Sequence, residues 1–313
     1  MERDIAGKRL EEHSDVFADI FNVLLFDGKE VCKPESLEQM AAEGYHRSAS
    51  GKLRQRTRDI IKRDVRNDTV LLIMGIENQD SYDNTMVVRV MGYDFASYDH
   101  QIGEIKKKNK ERSAPAYGKG IHDDQKLVPV ITLVLYYGQE PWRGPRSLAG
   151  LLHFPEGSEG YVRPLIPDYR FNLVELARLP DHVRKRFTSD FRLVADFIAS
   201  QNNPDLHQQF MEDAERAITH PMEILDLLGA LGRDSRYQTI KKHILERSNE
   251  EEITMYSITD EIENRGIQKG MEQGEERLSQ LNLKLLADKR YSDLQRASED
   301  KKYRHRLFKK YGL

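Results

Sequence analysis

The chain contains almost none of the residues on which disulfide-bonded or membrane-embedded proteins depend. Its 313 residues include one cysteine, Cys32. A single cysteine excludes an internal disulfide and any multi-cysteine metal site. No apolar run approaches the roughly 18 residues that suggest a membrane-spanning helix, and the amino terminus (MERDIAGKRLEEHSD) lacks the apolar stretch of a signal peptide. We therefore expect no membrane span and a cytoplasmic location.

Common catalytic and nucleotide-binding motifs are also missing. There is no HExxH, no Ser-His-Asp arrangement and no glycine-rich phosphate loop. Gly266, Gly270 and Gly274 do recur every four residues, but no strand precedes them and no Gly-Lys-Ser/Thr follows. On a helix they would form a strip that a partner helix could approach closely. A hinge or linker is the alternative, because each glycine costs a helix about 0.5–1 kcal/mol.

Charge is abundant but unevenly distributed. Hydrophobic residues make up 38% and charged residues 32% of the chain, which indicates a globular core with a long charged helical part. The net charge is only -3, yet residues 51–66 carry seven positive and two negative charges, and residues 103–120 carry six and two. Such local patches are typical of phosphate-binding surfaces, although solvated loops give the same pattern.

The stretch from Thr57 to Gln79 (TRDIIKRDVRNDTVLLIMGIENQ) predicts two β-strands joined by a tight polar turn. Asp59 lies at the outer end of the first strand, and Glu77 and Gln79 end the second, where residues two apart share a face. Pairing around the turn would bring the three side chains together. Converging carboxylates suit a hard cation such as Mg²⁺. Asp64 is the alternative first acid, but it lies nearer the turn and farther from Glu77.

The remaining pattern predicts an α/β fold with a mixed sheet. Ser14 can cap a helix over DVFADIFNVLLF, residues 83–108 read as a second helix, and LVPVITLVLYYG is the strongest buried-strand signal. The order helix, hairpin, helix, strand is typical of layered α/β proteins. Arg89 and Tyr93 share a face of the second helix, where they could reach a phosphate, position the site or simply pack at the core rim. From about Leu176 the chain reads as entirely helical.

Several segments together resemble a known family. FADIFNVLLFDGK, RDIIKRDV, LLIMGIENQ, MVVRVMGYD, PVITLVLYYGQEPWRGPRSL and the tail GIQKGMEQGEE are similar to the recombination-promoting nuclease/putative transposase family of bacteria, in the PD-(D/E)XK nuclease superfamily. The similarity runs from about residue 14 to 175, and a weaker similarity is found in the tail. The resemblance implies a restriction-endonuclease-like core at 1–175, and we expect a helical region at 176–252 and a charged helical tail at 253–313.

The resemblance also implies site residues. The acid on the family's first helix falls on Asp19, the hairpin aspartate on Asp59, and the paired acid on Glu77. The superfamily's usual lysine falls on Gln79, which cannot act as a base or a cation but would orient the water or the scissile phosphate. Asp19 would complete the outer shell or a second metal site. Asp59, Glu77 and the main-chain carbonyl of Asn78 would hold Mg²⁺, for which Mn²⁺ can substitute. Lys62 is the nearest candidate to replace the missing lysine. The residues expected to contact DNA are Arg54, Arg56, Arg58, Lys62, Arg89 and Tyr93.

The function implied is that of a metal-dependent endonuclease that cleaves double-stranded DNA with little sequence specificity. A link to recombination, mobile elements or phage biology follows from the same resemblance. Pairing of the C-terminal helices predicts a homodimer, which would bring two active sites together, and the tail could also regulate the nuclease. The alternative is a catalytically inactive DNA-binding or assembly protein that retains the fold, for which Gln79 is the best argument.

Overall fold

A computed structural model describes residues 2–40, 45–47, 53–55, 58–111, 120–201, 203, 205–206, 210, 215–246 and 253–313. Its centre is a five-stranded sheet in the order β1-β4-β5-β6-β7. The strands are β1 (Leu37–Gln39), β4 (Ile60–Arg66), β5 (Thr69–Gln79), β6 (Val130–Tyr136) and β7 (Asn172–Glu175). A separate pair consists of β2 (Tyr45–Arg47) and β3 (Leu53–Gln55). Because β4 runs antiparallel to β1 and β5, while β5, β6 and β7 are parallel, the predicted mixed sheet is confirmed.

Eleven α-helices can be assigned within the described residues. They are α1 (Glu2–Glu11), α2 (Ser14–Leu24), α3 (Met86–Glu111), α4 (Glu159–Val162), α5 (Asp181–Arg184), α6 (Phe191–Ser200), α7 (Pro221–Gly232), α8 (Arg236–Glu246), α9 (Met255–Ala287), α10 (Tyr291–Glu299) and α11 (Lys301–Tyr311). Short 3-10 turns lie at Pro34–Ser36, Ala149–Leu151, Arg163–Leu165 and Leu176–Arg178. After β7 the described chain is helical, as predicted. None of the described helices is both long and apolar enough for a membrane span.

The hairpin is fixed by its turn. Asn67 and Asp68 both have positive φ, 50° and 60°, which is the geometry of the two-residue turns that match the twist of paired strands. Asn and Asp tolerate this left-handed conformation better than most residues. The resulting register places Ile60 opposite Ile76, so the start of β4 lies beside the end of β5.

Helices cover both faces of the sheet. Along β6, Leu133 and Leu135 face the larger apolar cluster, which includes residues of α1, α2, α6 and α7. Val134 and Tyr136 face the opposite way, toward α3 and Trp142. This alternation explains why β6 is apolar throughout, since both faces are buried.

The helices differ slightly from their predicted bounds. The residue that precedes α2 is His13, with no side-chain cap, whereas the hydroxyl of Ser14 accepts a hydrogen bond from Lys62 at 3.1 Å. Helix α3 begins three residues later than expected, because the Asp83 carboxylate accepts hydrogen bonds from Thr85 and holds the chain outside the helix.

The apolar clusters show which helices pack with the sheet and which pack among themselves. The larger cluster joins sheet residues such as Met74 to helical residues such as Leu228. A separate cluster around Leu281 and Leu285 packs the end of α9 against α10 and α11. The expected division at residues 175 and 252 stays a prediction.

Candidate active site

Two acids meet where β4 begins and β5 ends. Ile60 pairs with Ile76, so Asp59 and Glu77 follow as neighbours at the edge of the sheet. The Asp59 Oδ2 atom accepts a hydrogen bond from the main-chain nitrogen of Asn78 at 2.7 Å. Glu77 is only 3% exposed. The hairpin therefore brings together the two carboxylates that the sequence singled out.

Asp64, the alternative first acid, lies elsewhere. It pairs with Leu72, five positions from Glu77 along β5, which is about 17 Å at the usual rise of a strand. Its buried carboxylate accepts hydrogen bonds from Arg66 at 2.8 and 3.2 Å. The structure does not place Asp64 with Glu77.

Only one of the two carboxylate oxygens of Glu77 has hydrogen-bond partners among the described residues. Its Oε1 atom contacts the Arg89 guanidinium and lies 3.4 Å from the Tyr93 hydroxyl and 3.3 Å from the Gln79 amide nitrogen. Its Oε2 atom is buried and has no hydrogen-bond partner in the part of the chain that the structure describes. Burial, then the nearby charge of Asp59, raises the pKa of Glu77 to about 7, although Arg89 opposes the shift.

Arg89 and Tyr93 were expected to share a face of α3, and they do. The guanidinium donates to the Tyr93 hydroxyl at 3.2 Å and also pairs with Asp83 at 3.1 Å. Both side chains face Glu77, so among the roles predicted for them the geometry favours positioning this acid.

Glu11 is a site residue that the sequence analysis missed. It ends α1 and is fully buried. The Asn78 side chain donates to its Oε2 atom at 2.7 Å, and the Tyr137 hydroxyl donates to its Oε1 atom at 2.7 Å. Burial raises the pKa of Glu11 to about 8, against the effect of these two hydrogen bonds. Asn78 thus binds Asp59 through its main chain and Glu11 through its side chain.

Lys8 is the second residue that was missed. Its Nζ atom lies 2.6 Å from Asp59 Oδ1, and its position one turn before Glu11 places both on one face of α1. Burial acts to lower the pKa of Lys8, but its hydrogen bond and charge interaction with Asp59 raise it overall. The sequence did not predict α1 because this helix has few apolar side chains, namely Ile5, Ala6 and Leu10. They do not form a clear helical pattern.

Lys62 does not replace the superfamily lysine. It is 3% exposed and donates to the main-chain oxygen of Glu12 at 2.5 Å and to Ser14 Oγ at 3.1 Å. Its ammonium also lies 5.4 Å from the centre of the Phe17 ring. These contacts direct the Lys62 side chain to the start of α2, so the structure does not support its expected catalytic and DNA-binding roles.

Asp19 is likewise held away from the site. Its Oδ2 atom accepts hydrogen bonds from the main-chain nitrogens of Thr188 and Ser189 at 2.9 and 2.7 Å. These bonds tie α2 to the segment that leads into α6. Within the described residues no contact joins Asp19 to Asp59 or Glu77, so the structure does not support the expected catalytic role.

Arg58 is buried, which excludes it from the expected DNA surface. It is 5% exposed, pairs with Asp94 and donates to Ser97 Oγ at 2.9 Å. A Cβ atom on Gly75 would lie 2.3 Å from Arg58 Cδ. The Arg58 side chain can therefore lie against β5 at this position only because the residue there is glycine. Of the other arginines predicted there, Arg54 lies on β3 with its side chain undescribed, and Arg56 lies outside the described residues.

Comparison with known families finds one match. The family model described as putative transposase, YhgA-like, matches residues 47–221, more than half of the 313 residues. The chain belongs to the YhgA-like putative transposase family. That family lies within the PD-(D/E)XK nuclease-like superfamily, as the sequence resemblance indicated. No curated protein and no solved structure matches the chain.

The YhgA-like match covers only part of the site. It includes Asp59, Glu77 and the whole of α3, but it begins after α1. The contributions of Lys8 and Glu11 to a YhgA-like site therefore rest on the geometry of this chain.

Proposed function

We propose that the chain is a metal-dependent endonuclease that hydrolyses the phosphodiester bonds of double-stranded DNA with little sequence specificity. One observation carries the proposal: Glu77 Oε2 is buried beside Asp59 without a hydrogen-bond partner among the described residues. Leaving a buried acceptor unsatisfied costs about 1–3 kcal/mol. A divalent cation would supply the partner.

The donor set fits Mg²⁺ or Mn²⁺. Hard cations prefer carboxylate and carbonyl oxygens, which Asp59, Glu77 and the main-chain carbonyl of Asn78 would provide. A cation bound there would polarise a phosphate and lower the pKa of a bound water.

The remaining residues have roles that their contacts support. Arg89 and Tyr93 hold Glu77 through its Oε1 atom and leave Oε2 for the cation. Glu11 holds the Asn78 side chain, and the Asn78 main chain holds Asp59. Among the described residues Lys8 places its ammonium beside Asp59, so we assign to it the cationic role of the superfamily lysine, which Gln79 cannot fill.

DNA would approach the exposed basic end of α3. Lys106, Lys107, Lys108 and Lys110 are exposed there, at the start of the basic segment at residues 103–120. Charge of this kind contacts phosphates and carries no base information, which agrees with little sequence specificity. The link to recombination, mobile elements or phage, and the cytoplasmic location, stay predictions.

A homodimer would supply the two active sites needed to break both strands. Gly266, Gly270 and Gly274 lie on α9, where a Cβ atom would meet no described atom within 4 Å. We propose that the same strip of a second chain packs there.

The second candidate is a DNA-binding protein without turnover. It is favoured by the contact between Arg89 and Glu77, which neutralises one acid, and by glutamine at position 79. Both candidates predict DNA binding, and only the first predicts strand cleavage.

Supercoiled plasmid separates the two. Purified protein is incubated with plasmid in Mg²⁺, Mn²⁺ or EDTA, beside Glu77→Ala and the control Glu38→Ala, which removes an exposed acid from β1. We expect nicked and linear products with the wild type and the control in Mg²⁺, and none with Glu77→Ala or EDTA. Binding without cleavage by the wild type in either metal would favour the second candidate.

A further inference from the structure

A second group of metal-binding side chains lies where α2 and α7 begin. His13 immediately precedes α2, His220 immediately precedes α7, and Glu223 lies in the first turn of α7. The two imidazole rings stack with their centroids 3.7 Å apart and 20° between their planes. His13 Nε2 lies 3.6 Å from Glu223 Oε1, and one ligand atom from each of the three residues falls within 4.8 Å of the others.

The backbone at both histidines is fixed. The carbonyl oxygen of His13 accepts the amide of Phe17 at 2.9 Å, and that of His220 accepts the amide of Ile224 at 3.0 Å. The amide of His220 in turn donates to Asp190 Oδ2 at 2.6 Å. Two helix starts therefore hold the two histidines close together before any ligand binds. The stacked rings must still turn to aim both lone pairs at one ion, because the lone pairs of nearly parallel rings lie in separate planes.

Asp15 orients one of the imidazoles. Its two carboxylate oxygens lie 3.0 and 3.1 Å from His220 Nε2. When Nε2 carries the proton and donates it to Asp15, Nδ1 has a free lone pair, and no described hydrogen bond occupies that atom. A carboxylate bonded to the far nitrogen of a ligating histidine is the usual arrangement at protein zinc sites.

We propose that His13, His220 and Glu223 bind a divalent transition metal ion of the Zn²⁺ type, with Asp15 as the positioning residue. Two imidazole nitrogens, one carboxylate and a fourth open position are a common zinc ligand set. Tetrahedral ligands at zinc bond lengths lie roughly 3.3 Å apart, close to the present separation of His13 and Glu223. The side chains are 36%, 15% and 28% exposed for His13, His220 and Glu223, so an ion can enter.

The ion would join α2 to α7 and thereby fasten the amino-terminal helices to the helical region. This site shares no residue with the pair Asp59 and Glu77, and its imidazole ligands select softer ions than Mg²⁺. The proposed zinc site therefore does not depend on whether the protein cleaves DNA.

The test measures zinc content rather than activity. Untagged full-length protein is treated with chelator, dialysed against micromolar Zn²⁺ and analysed for bound metal, and Co²⁺ absorption reports the coordination. The variants are His13→Asn and His220→Asn, because asparagine starts a helix well and is a poor zinc ligand. Glu77→Gln is the matched control, and circular dichroism checks each fold.

We expect each asparagine variant to bind one equivalent of Zn²⁺ less than the wild type and to lose the tetrahedral Co²⁺ spectrum. Glu77→Gln should keep that spectrum. Asp15→Asn should bind Zn²⁺ about 10–100-fold more weakly, as expected for a partner of a ligating histidine. A wild type that holds no zinc, or asparagine variants that hold it as tightly as the wild type, would overturn the proposal.

Discussion

The buried carboxyl group of Glu11 makes stability depend on pH in a way that one substitution can isolate. Glu11→Gln keeps the size of the side chain and removes its ionisation. The amide oxygen of the new glutamine can accept a hydrogen bond from Tyr137. Its amide nitrogen can donate to Asn78 Oδ1 if the Asn78 side-chain amide flips. That oxygen is buried without a partner among the described residues. We therefore expect the variant to fold with the hydrogen bonds from this side chain to Tyr137 and Asn78 kept.

The magnitude follows from the shifted pKa. Burial raises the pKa of Glu11 from 4.5 to about 8, so between these values the folded state holds a proton that the unfolded state has lost. Stability must then fall as pH rises. The slope is about 1.4 kcal/mol for each pH unit, and the total approaches roughly 5 kcal/mol above pH 8. Below pH 4.5 the group is protonated in both states and contributes no pH dependence.

Urea unfolding at a series of pH values measures the effect. In EDTA, the free energy of unfolding of the wild type should fall relative to Glu11→Gln between about pH 5 and 8 and then level off. Glu12→Gln, which changes the exposed neighbour, should differ from the wild type by a constant amount. A difference between the wild type and Glu11→Gln that does not change over this range would refute the reasoning, because Glu11 would then ionise as in the unfolded chain.

Four further outcomes are expected. Arg58→Ala should lower the free energy of unfolding by about 3–5 kcal/mol, because it removes the only cation paired with the largely enclosed Asp94 among the described residues. Arg63→Ala, at an exposed pair, should cost under about 1 kcal/mol, and chemical denaturation compares the two variants. At subsaturating Mg²⁺, cleavage rates should rise with pH through about 7, because protons then compete with the cation for Glu77, and a flat profile would contradict this. Replacing the exposed lysines at 106–108 with glutamine should reduce the slope of log affinity for DNA against log salt by about 0.9 for each phosphate that is no longer neutralised. Gly270→Leu should turn a dimer into a monomer by light scattering, and an unchanged mass would remove the glycine strip as the interface.

The hairpin and the parallel strand could be predicted because their signals are local. Residues 66–68 specify a turn, and the apolar runs of β5 and β6 specify strands covered on both faces. Those two facts also bring Asp59 beside Glu77, since the register follows from the turn. No residue outside 57–79 was needed for that part of the site.

Lys8 and Glu11 could not be predicted in this way. The contacts of Glu11 reach across 67 residues to Asn78 and 126 residues to Tyr137, and the helix that carries it has no clear apolar stripe. Nothing in the local pattern distinguishes this acid from an exposed one.

Arg58 and Lys62 are both buried although they belong to a basic cluster in the linear sequence. Such a cluster suggests a charged surface, but Lys62 lies on β4, which is paired on both edges, and Arg58 precedes that strand and lies against β5 at Gly75. Gly75 was an available signal, because glycine inside an apolar strand often marks a close approach by another group. Here that group is the Arg58 side chain.

Mn²⁺ binding tests most directly whether Asp59 and Glu77 form a site for a hard divalent cation. Calorimetric titration of chelator-treated protein above pH 7 should detect binding in the wild type. Glu77→Gln should weaken it at least about tenfold, because the amide keeps the shape but removes the charge. His220→Asn is the control, since it changes a different part of the molecule. Equal Mn²⁺ affinity of Glu77→Gln and the wild type would contradict the account.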